Sequence, residues 1–105
     1  MAAGDLRNLM KEAQRLQAEM AENQRKLAEM ELEATAGGGV VRAVVTGHGE
    51  LVRIEISPEV VRPEDADLLA DLVVAAVREA QANAKERAQQ MMAPLTRLLP
   101  PGLSG

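Results

Sequence analysis

From Leu6 onward, Leu6, Leu9, Ala13, Leu16, Met20, Asn23, Leu27 and Met30 follow one another at alternating spacings of 3 and 4. That alternation keeps one stripe of a helix turned toward a partner, so the pattern predicts a long amphipathic rod. At 1.5 Å per residue the run is roughly 37 Å long, more than a small body needs to cover its core. The rod is therefore expected to project, to pair, or both. Asn23 is the polar member of the seam: it either fixes register or lies at an exposed end where nothing packs on it.

Gly4 and Asp5 open this segment, with Asp5 in position to cap it, and Gly37, Gly38 and Gly39 end any helix. Beyond them the period changes from 3.6 to 2. Val41, Ala43 and Val45 alternate with Arg42 and Val44, and Val52, Ile54 and Ile56 alternate with Leu51, Arg53 and Glu55. Two half-buried strands are predicted, joined by a tight turn at Gly47-His48-Gly49-Glu50 whose glycines allow positive φ. A short strand over Glu31 to Thr35 adds a third ladder. Ser57, Pro58 and Glu59 read as a single capped turn.

Pro63, with Glu64 and Asp65 behind it, starts the second long helix. Its apolar positions Leu69, Leu72, Val73, Ala76, Val77 and Ala80 should cover one sheet face. Ala84, Ala88, Met91, Leu95 and Leu98 then repeat the 4, 3, 4, 3 spacing, so the end of this helix is expected to lie along the first, within one chain or across a dimer. A break is expected near Pro94. The fold class is α+β: one domain over residues 1–99, with a small antiparallel sheet of about three strands between two long helices. Residues 100–105 read as a disordered tail.

Composition sharpens this picture. The chain contains no Phe, Tyr or Trp, so its interior must be built from Leu, Val, Ile, Ala and Met. Such a thin core favours a second copy of the chain, and a homodimer is expected. With no cysteine there is neither a disulfide framework nor a thiolate metal site. The longest apolar run, Leu72 to Val77, is too short to span a bilayer, and the first residues lack the apolar stretch of a secretory signal, so a cytoplasmic protein without membrane contact is expected.

Catalytic chemistry is poorly supplied. The two serines, Ser57 and Ser104, and the single His48 lie in no nucleophile motif, and the triglycine is not followed by the lysine of a phosphate-binding loop. His48 between glycines reads as a turn residue, with phosphate contact or pH sensing as the alternatives. Glu64, Asp65, Asp67 and Asp71 match no calcium loop and read as helix-start chemistry. No enzyme activity, small-molecule substrate, metal or cofactor is expected. The six methionines read as adaptable packing residues.

Binding chemistry is better supplied. The formal charge is -4, with the acidity gathered over residues 50–71, where seven carboxylates face Arg53 and Arg62. Arg7, Lys11 and Arg15 recur at i, i+4 and i+8 opposite the apolar seam, with Glu12 as their neighbour. Arg78, Lys85, Arg87 and Arg97 form a second group on the other helix, near Glu79 and Glu86. These positions are either solvated faces laced with ion pairs or contacts to a polyanion.

Four segments taken in order carry a resemblance: Asn8-Leu9-Met10-Lys11-Glu12-Ala13-Gln14, the glycines at 37 to 39 before a Val-rich strand, Ile56-Ser57-Pro58-Glu59-Val60-Val61, and Asp71-Leu72-Val73-Val74-Ala75-Ala76-Val77. Together they resemble the YbaB/EbfC family of bacterial nucleoid-associated proteins, from about Leu6 to the Leu98 region. Ser57 stands where that family usually has an aspartate. The resemblance implies a homodimer whose helices protrude like the arms of tweezers, a place in the nucleoid, and binding to double-stranded DNA with broad sequence preference. It implies DNA contact through the arms, making Arg7, Lys11, Arg15, Lys85 and Arg87 the candidate residues, and it brings no catalytic residue or cofactor. The competing expectation is a helical scaffold that captures a partner protein without touching DNA.

Overall fold

The structure, a computed structural model, describes residues 2–92. Helix α1 spans Ala2–Glu29, followed by strands β1 (Glu31–Ala36), β2 (Val41–Thr46) and β3 (Leu51–Ile56), two single 3-10 turns (Pro58–Val60 and Pro63–Asp65), and helix α2 (Ala66–Met91). The strands form an antiparallel sheet in the order β1-β2-β3. The expected break near Pro94, the seam positions Leu95 and Leu98, Arg97 and the tail lie outside the described residues.

Boundaries moved where local chemistry competed. The first helix begins at Ala2, which puts Asp5 inside its first turn rather than at the cap; there its carboxylate still meets the positive end of the helix dipole. Pro63 opens a 3-10 turn, and α2 proper starts three residues later, at Ala66. Strand β1 reaches Ala36, pairing in continuous register from Glu31↔Thr46 to Ala36↔Val41. The triglycine makes the β1–β2 turn, with φ of 66°, 75° and 97° at Gly37, Gly38 and Gly39.

Helix α2 lies on β1 and β2. Ala76, Ala80 and Ala84 are fully buried against Ala34, Val41, Ala43 and Val45, flanked by Leu69, Leu72, Val73 and Val77. Alanine is what lets the helix approach closely, so a core without aromatic rings is dense rather than thick. Val44, expected to point outward, is also buried, and so is Leu27 at the end of α1. Neither belongs to the core formed with α2; Leu27 instead lies against Gly47, just past the end of β2.

Strand β3 departs from expectation. Val52 and Ile56 stay 45% and 38% exposed, because α2 lies mainly on the other two strands and only Ile54 of β3 packs against its core. A bulge accompanies this: Val44 pairs with Arg53 but Val45 with Leu51, leaving Val52 as the extra residue.

Candidate nucleic-acid interface

Two helices leave the sheet on the same side, and the β2–β3 turn sits between them. The Gly47 amide donates to the Leu27 carbonyl at 2.8 Å, and His48 Nε2 lies 3.3 Å from the Gln24 carbonyl. Across the turn, Gln81 Nε2 donates to the Gly49 carbonyl at 3.0 Å. Farther out, Asn23 Nδ2 donates to the Met91 carbonyl at 3.3 Å. This contact brings the end of α2 alongside α1 within one chain, and it gives Asn23 a partner: the half-buried amide serves an end-of-helix carbonyl that has no acceptor role inside its own helix.

Beyond Asn23 about twenty residues of α1 extend for roughly 30 Å. Leu6, Leu9 and Met10 there are 58%, 67% and 57% exposed. The molecule measures 75 × 28 × 15 Å, with a radius of gyration of 20.4 Å, against about 13 Å for a compact chain of this length.

The candidate cations do not share one environment. Arg7 and Lys11 are exposed on the outer part of α1, and no ion pair engages them among the described residues. Arg15 is held by two carboxylates, Glu12 and, at 3.2 Å, Glu19. Glu12 was visible from the sequence as its neighbour; Glu19, four residues on, was equally legible at helical spacing and completes the clasp. The hydrogen bond from Arg15 holds the Glu12 carboxyl below its ordinary value, against desolvation, and the Arg15 charge adds the smallest push.

Nearer the sheet, three arginines are engaged by carboxylates. Arg25 bonds Glu22 and Glu29, Arg42 pairs with Glu33, and Arg53 with Glu31 and Glu55. The hydrogen bond from Arg25 likewise lowers the Glu22 carboxyl. Lys26, Arg62, Arg78, Lys85 and Arg87 have no ion pair among the described residues, and Glu79 and Glu86 do not engage their basic neighbours.

Lys85 and Arg87, two residues apart, project about 200° from one another around α2 and do not form one stripe. Lys85 lines a groove of about 420 Å³ with Gly47, His48, Gly49, Gln81 and Ala88. Both side chains remain exposed. The amides of the turn are not free to bind an anion: Gly47 is bonded to Leu27 and Gly49 to Thr46, while His48 and Glu50 both donate to Thr46 Oγ1, at 3.2 and 3.3 Å. Among the described residues no cluster of His, Asp and Glu is placed to hold a metal ion, and no helix is long and apolar enough to cross a membrane.

Comparison with known proteins gives this geometry a setting. A nucleoid-associated protein of Saccharopolyspora erythraea is 47% identical over 92 residues, covering 88% of this chain and 79% of its own. One from Alkaliphilus metalliredigens is 45% identical over 94 residues, covering 90% and 82%, and one from Pelotomaculum thermopropionicum 42% identical over 104 residues, covering 98% and 99%. The crystal structure of uncharacterized protein HP0035 from Helicobacter pylori has the same fold, with a TM-score of 0.71 at 20% identity over 83% of this chain and 91% of that one. The model of the YbaB/EbfC DNA-binding family matches residues 2–99. With the family model matching residues 2–99 and relatives 42% to 47% identical covered over 79% to 99% of their length, this chain belongs to the YbaB/EbfC DNA-binding family.

Proposed function

We propose that this chain is a nucleoid-associated protein that grips double-stranded DNA as a homodimer, through phosphate contacts made by its helical arms and with broad sequence preference. The family and the naming of the relatives as nucleoid-associated proteins support the DNA-binding, nucleoid role. The observation that carries the finer reading is the division of the cations. Arg25, Arg42 and Arg53, on the sheet and at the base of α1, are neutralised within the chain, whereas Arg7 and Lys11 on the outer arm and Lys85 and Arg87 on α2 have no acidic partner among the described residues. A chain of net charge -4 meets a polyanion through positive groups that its own carboxylates do not hold, and these four cations are of that kind. Without aromatic residues it has no platform for stacking unpaired bases, so a duplex held by its backbone is the fitting ligand.

Dimerisation is supported by uncovered apolar surface. Leu51, Val52 and Ile56 on the edge strand β3, and Val61 just after it, are 52%, 45%, 38% and 59% exposed. An exposed apolar edge strand is a template for pairing with another chain. A dimer doubles the arms, and four to eight cations then reach phosphate. The test is a mobility-shift titration of duplex DNA at several salt concentrations, with sedimentation to give the subunit number. Releasing one counterion per contact predicts a slope of log K against log salt between roughly -4 and -7. A flat response would remove phosphate contact from the account.

A second reading has its own observation. Leu6 and Leu9 remain exposed on the outer part of α1, an apolar stripe that suits capture of a partner helix. A scaffold of this kind would show negligible duplex affinity at physiological salt.

A further inference from the structure

We infer that the β2–β3 turn is a clamp that sets the angle of the α1 arm, and that Gly47 is its positioning residue for DNA contact. The second half of this inference rests on the DNA-binding reading above.

Three bonds converge on the turn from two helices. Gly47 holds Leu27 of α1 through its amide, at 2.8 Å. His48 Nε2 meets the Gln24 carbonyl one turn farther along the same helix, at 3.3 Å. From the opposite side, Gln81 of α2 reaches the Gly49 carbonyl at 3.0 Å. Helix α2 is itself anchored to the sheet by its buried alanines, so the turn ties the arm to a fixed body.

Gly47 is a glycine because of contact, not conformation. It is absent from the positive-φ glycines of the chain, where Gly49 has a φ of 83°. The turn was expected to use both glycines for positive φ; only Gly49 does. A Cβ at position 47 would instead stand 2.6 Å from the Leu27 carbonyl oxygen, 2.7 Å from its Cδ2 and 2.9 Å from its Cα. Two of those three atoms are backbone, so the helix and the turn must move apart to make room. A methyl group there therefore acts as a wedge at the root of a lever.

The lever is long. A tilt of about 10° at Leu27 moves Asn8, nineteen residues out and roughly 28 Å away, through about 5 Å. That exceeds the 3.4 Å spacing of charges along one DNA strand. Arg7 and Lys11 would leave register with the phosphates although no charge had changed.

The chain has no cysteine, so Asn8→Cys and Glu79→Cys, both at exposed positions, give two unique spin-label sites, one on the arm and one on the body. Distances are read in the full chain diluted with unlabelled chain, so that only the pair within one chain reports. Gly47→Ala is expected to displace the distribution by up to about 5 Å while circular dichroism keeps its helix content. His48→Ala combined with Gln81→Ala removes side-chain bonds without a wedge and is expected to broaden the distribution; it decides the matter should Gly47→Ala fail to fold. An unchanged distribution in the folded variants overturns the clamp.

Duplex binding is then measured on the same proteins. Weaker binding by Gly47→Ala, with a salt slope shallower by about 1 for each phosphate that the displaced arm no longer reaches, supports the positioning role. A displaced arm with undiminished affinity overturns that role. Failure of the unsubstituted chain to bind DNA at all sinks the DNA-binding reading instead, and leaves the clamp to the distance measurement.

Discussion

The side chain of Asn23 donates to the main-chain carbonyl of Met91, joining the two long helices at the point where both have left the sheet. A leucine would continue the seam of α1 at that position but would leave the carbonyl without its donor. Asn23→Ala is expected to cost about 1 kcal/mol, the worth of one partly buried hydrogen bond. For a domain of this size that is a fall of about 4 to 8 °C in Tm. Thermal melts at matched protein concentration check it, because association makes Tm depend on concentration.

Arg15 should matter less to DNA than its place in the stripe implies. Glu12 and Glu19 already hold it, so removing Arg15 deletes a cation that is largely neutralised. Arg7→Ala and Lys11→Ala are each expected to weaken duplex binding more than Arg15→Ala and to lower the salt slope by about 1. Replacing Glu12 and Glu19 together by Gln should strengthen binding. Fluorescence titration at two salt concentrations distinguishes these outcomes, and equal losses for all three cations would show that the clasp opens on the duplex.

Acid should loosen the arm before it unfolds the sheet. Glu12 and Glu22 are held below the ordinary carboxylate value of 4.5, each chiefly by the hydrogen bond from its arginine. A carboxyl depressed in the folded state contributes stability that is present above its unfolded value and is lost as pH falls through the folded one. Helicity should therefore decline below about pH 4.5, modestly, because exposed pairs are screened by solvent. Far-UV circular dichroism on the chain and on Arg25→Ala checks this: the variant should have less left to lose.

Ala80 is fully buried where α2 meets the sheet. Ala80→Leu is expected to destabilise by about 1 to 3 kcal/mol through overpacking, whereas substitution at the neighbouring exposed Glu79 should be nearly silent. Urea unfolding of both variants provides the comparison.

Val52, the bulged residue of β3, is 45% exposed on a strand whose outer edge has no strand partner among the described residues. Under the dimer reading, Val52→Lys should drive the protein toward monomer and weaken DNA binding together with it. Sedimentation of the variant showing an intact dimer would move the interface elsewhere, with the exposed Leu6 and Leu9 of α1 next to be tested.

Local pattern was enough to determine the order of elements and the face of α2 that is buried. A 3-and-4 spacing and a 2-residue alternation have different geometric periods, and the α2 positions from Leu69 to Ala80 form the stripe expected to cover the sheet. The resemblance carried by residues 8–14, 37–39, 56–61 and 71–77 was likewise complete in the sequence. The tertiary structure decided matters that depend on distant parts of the chain. Val44 is buried although it lies outside the core formed with α2, and Val52 is open on a strand of which Ile54 packs against that core; alternation within one strand carries no information about how far a helix extends. Gly47 reads as a turn residue until Leu27, twenty positions earlier, is found against it. Asn23 reads as a polar seam residue that fixes register or lies at an exposed end until the Met91 carbonyl supplies its partner. Periodicity fixes what each segment can bury; only packing selects which group, far away along the chain, it meets.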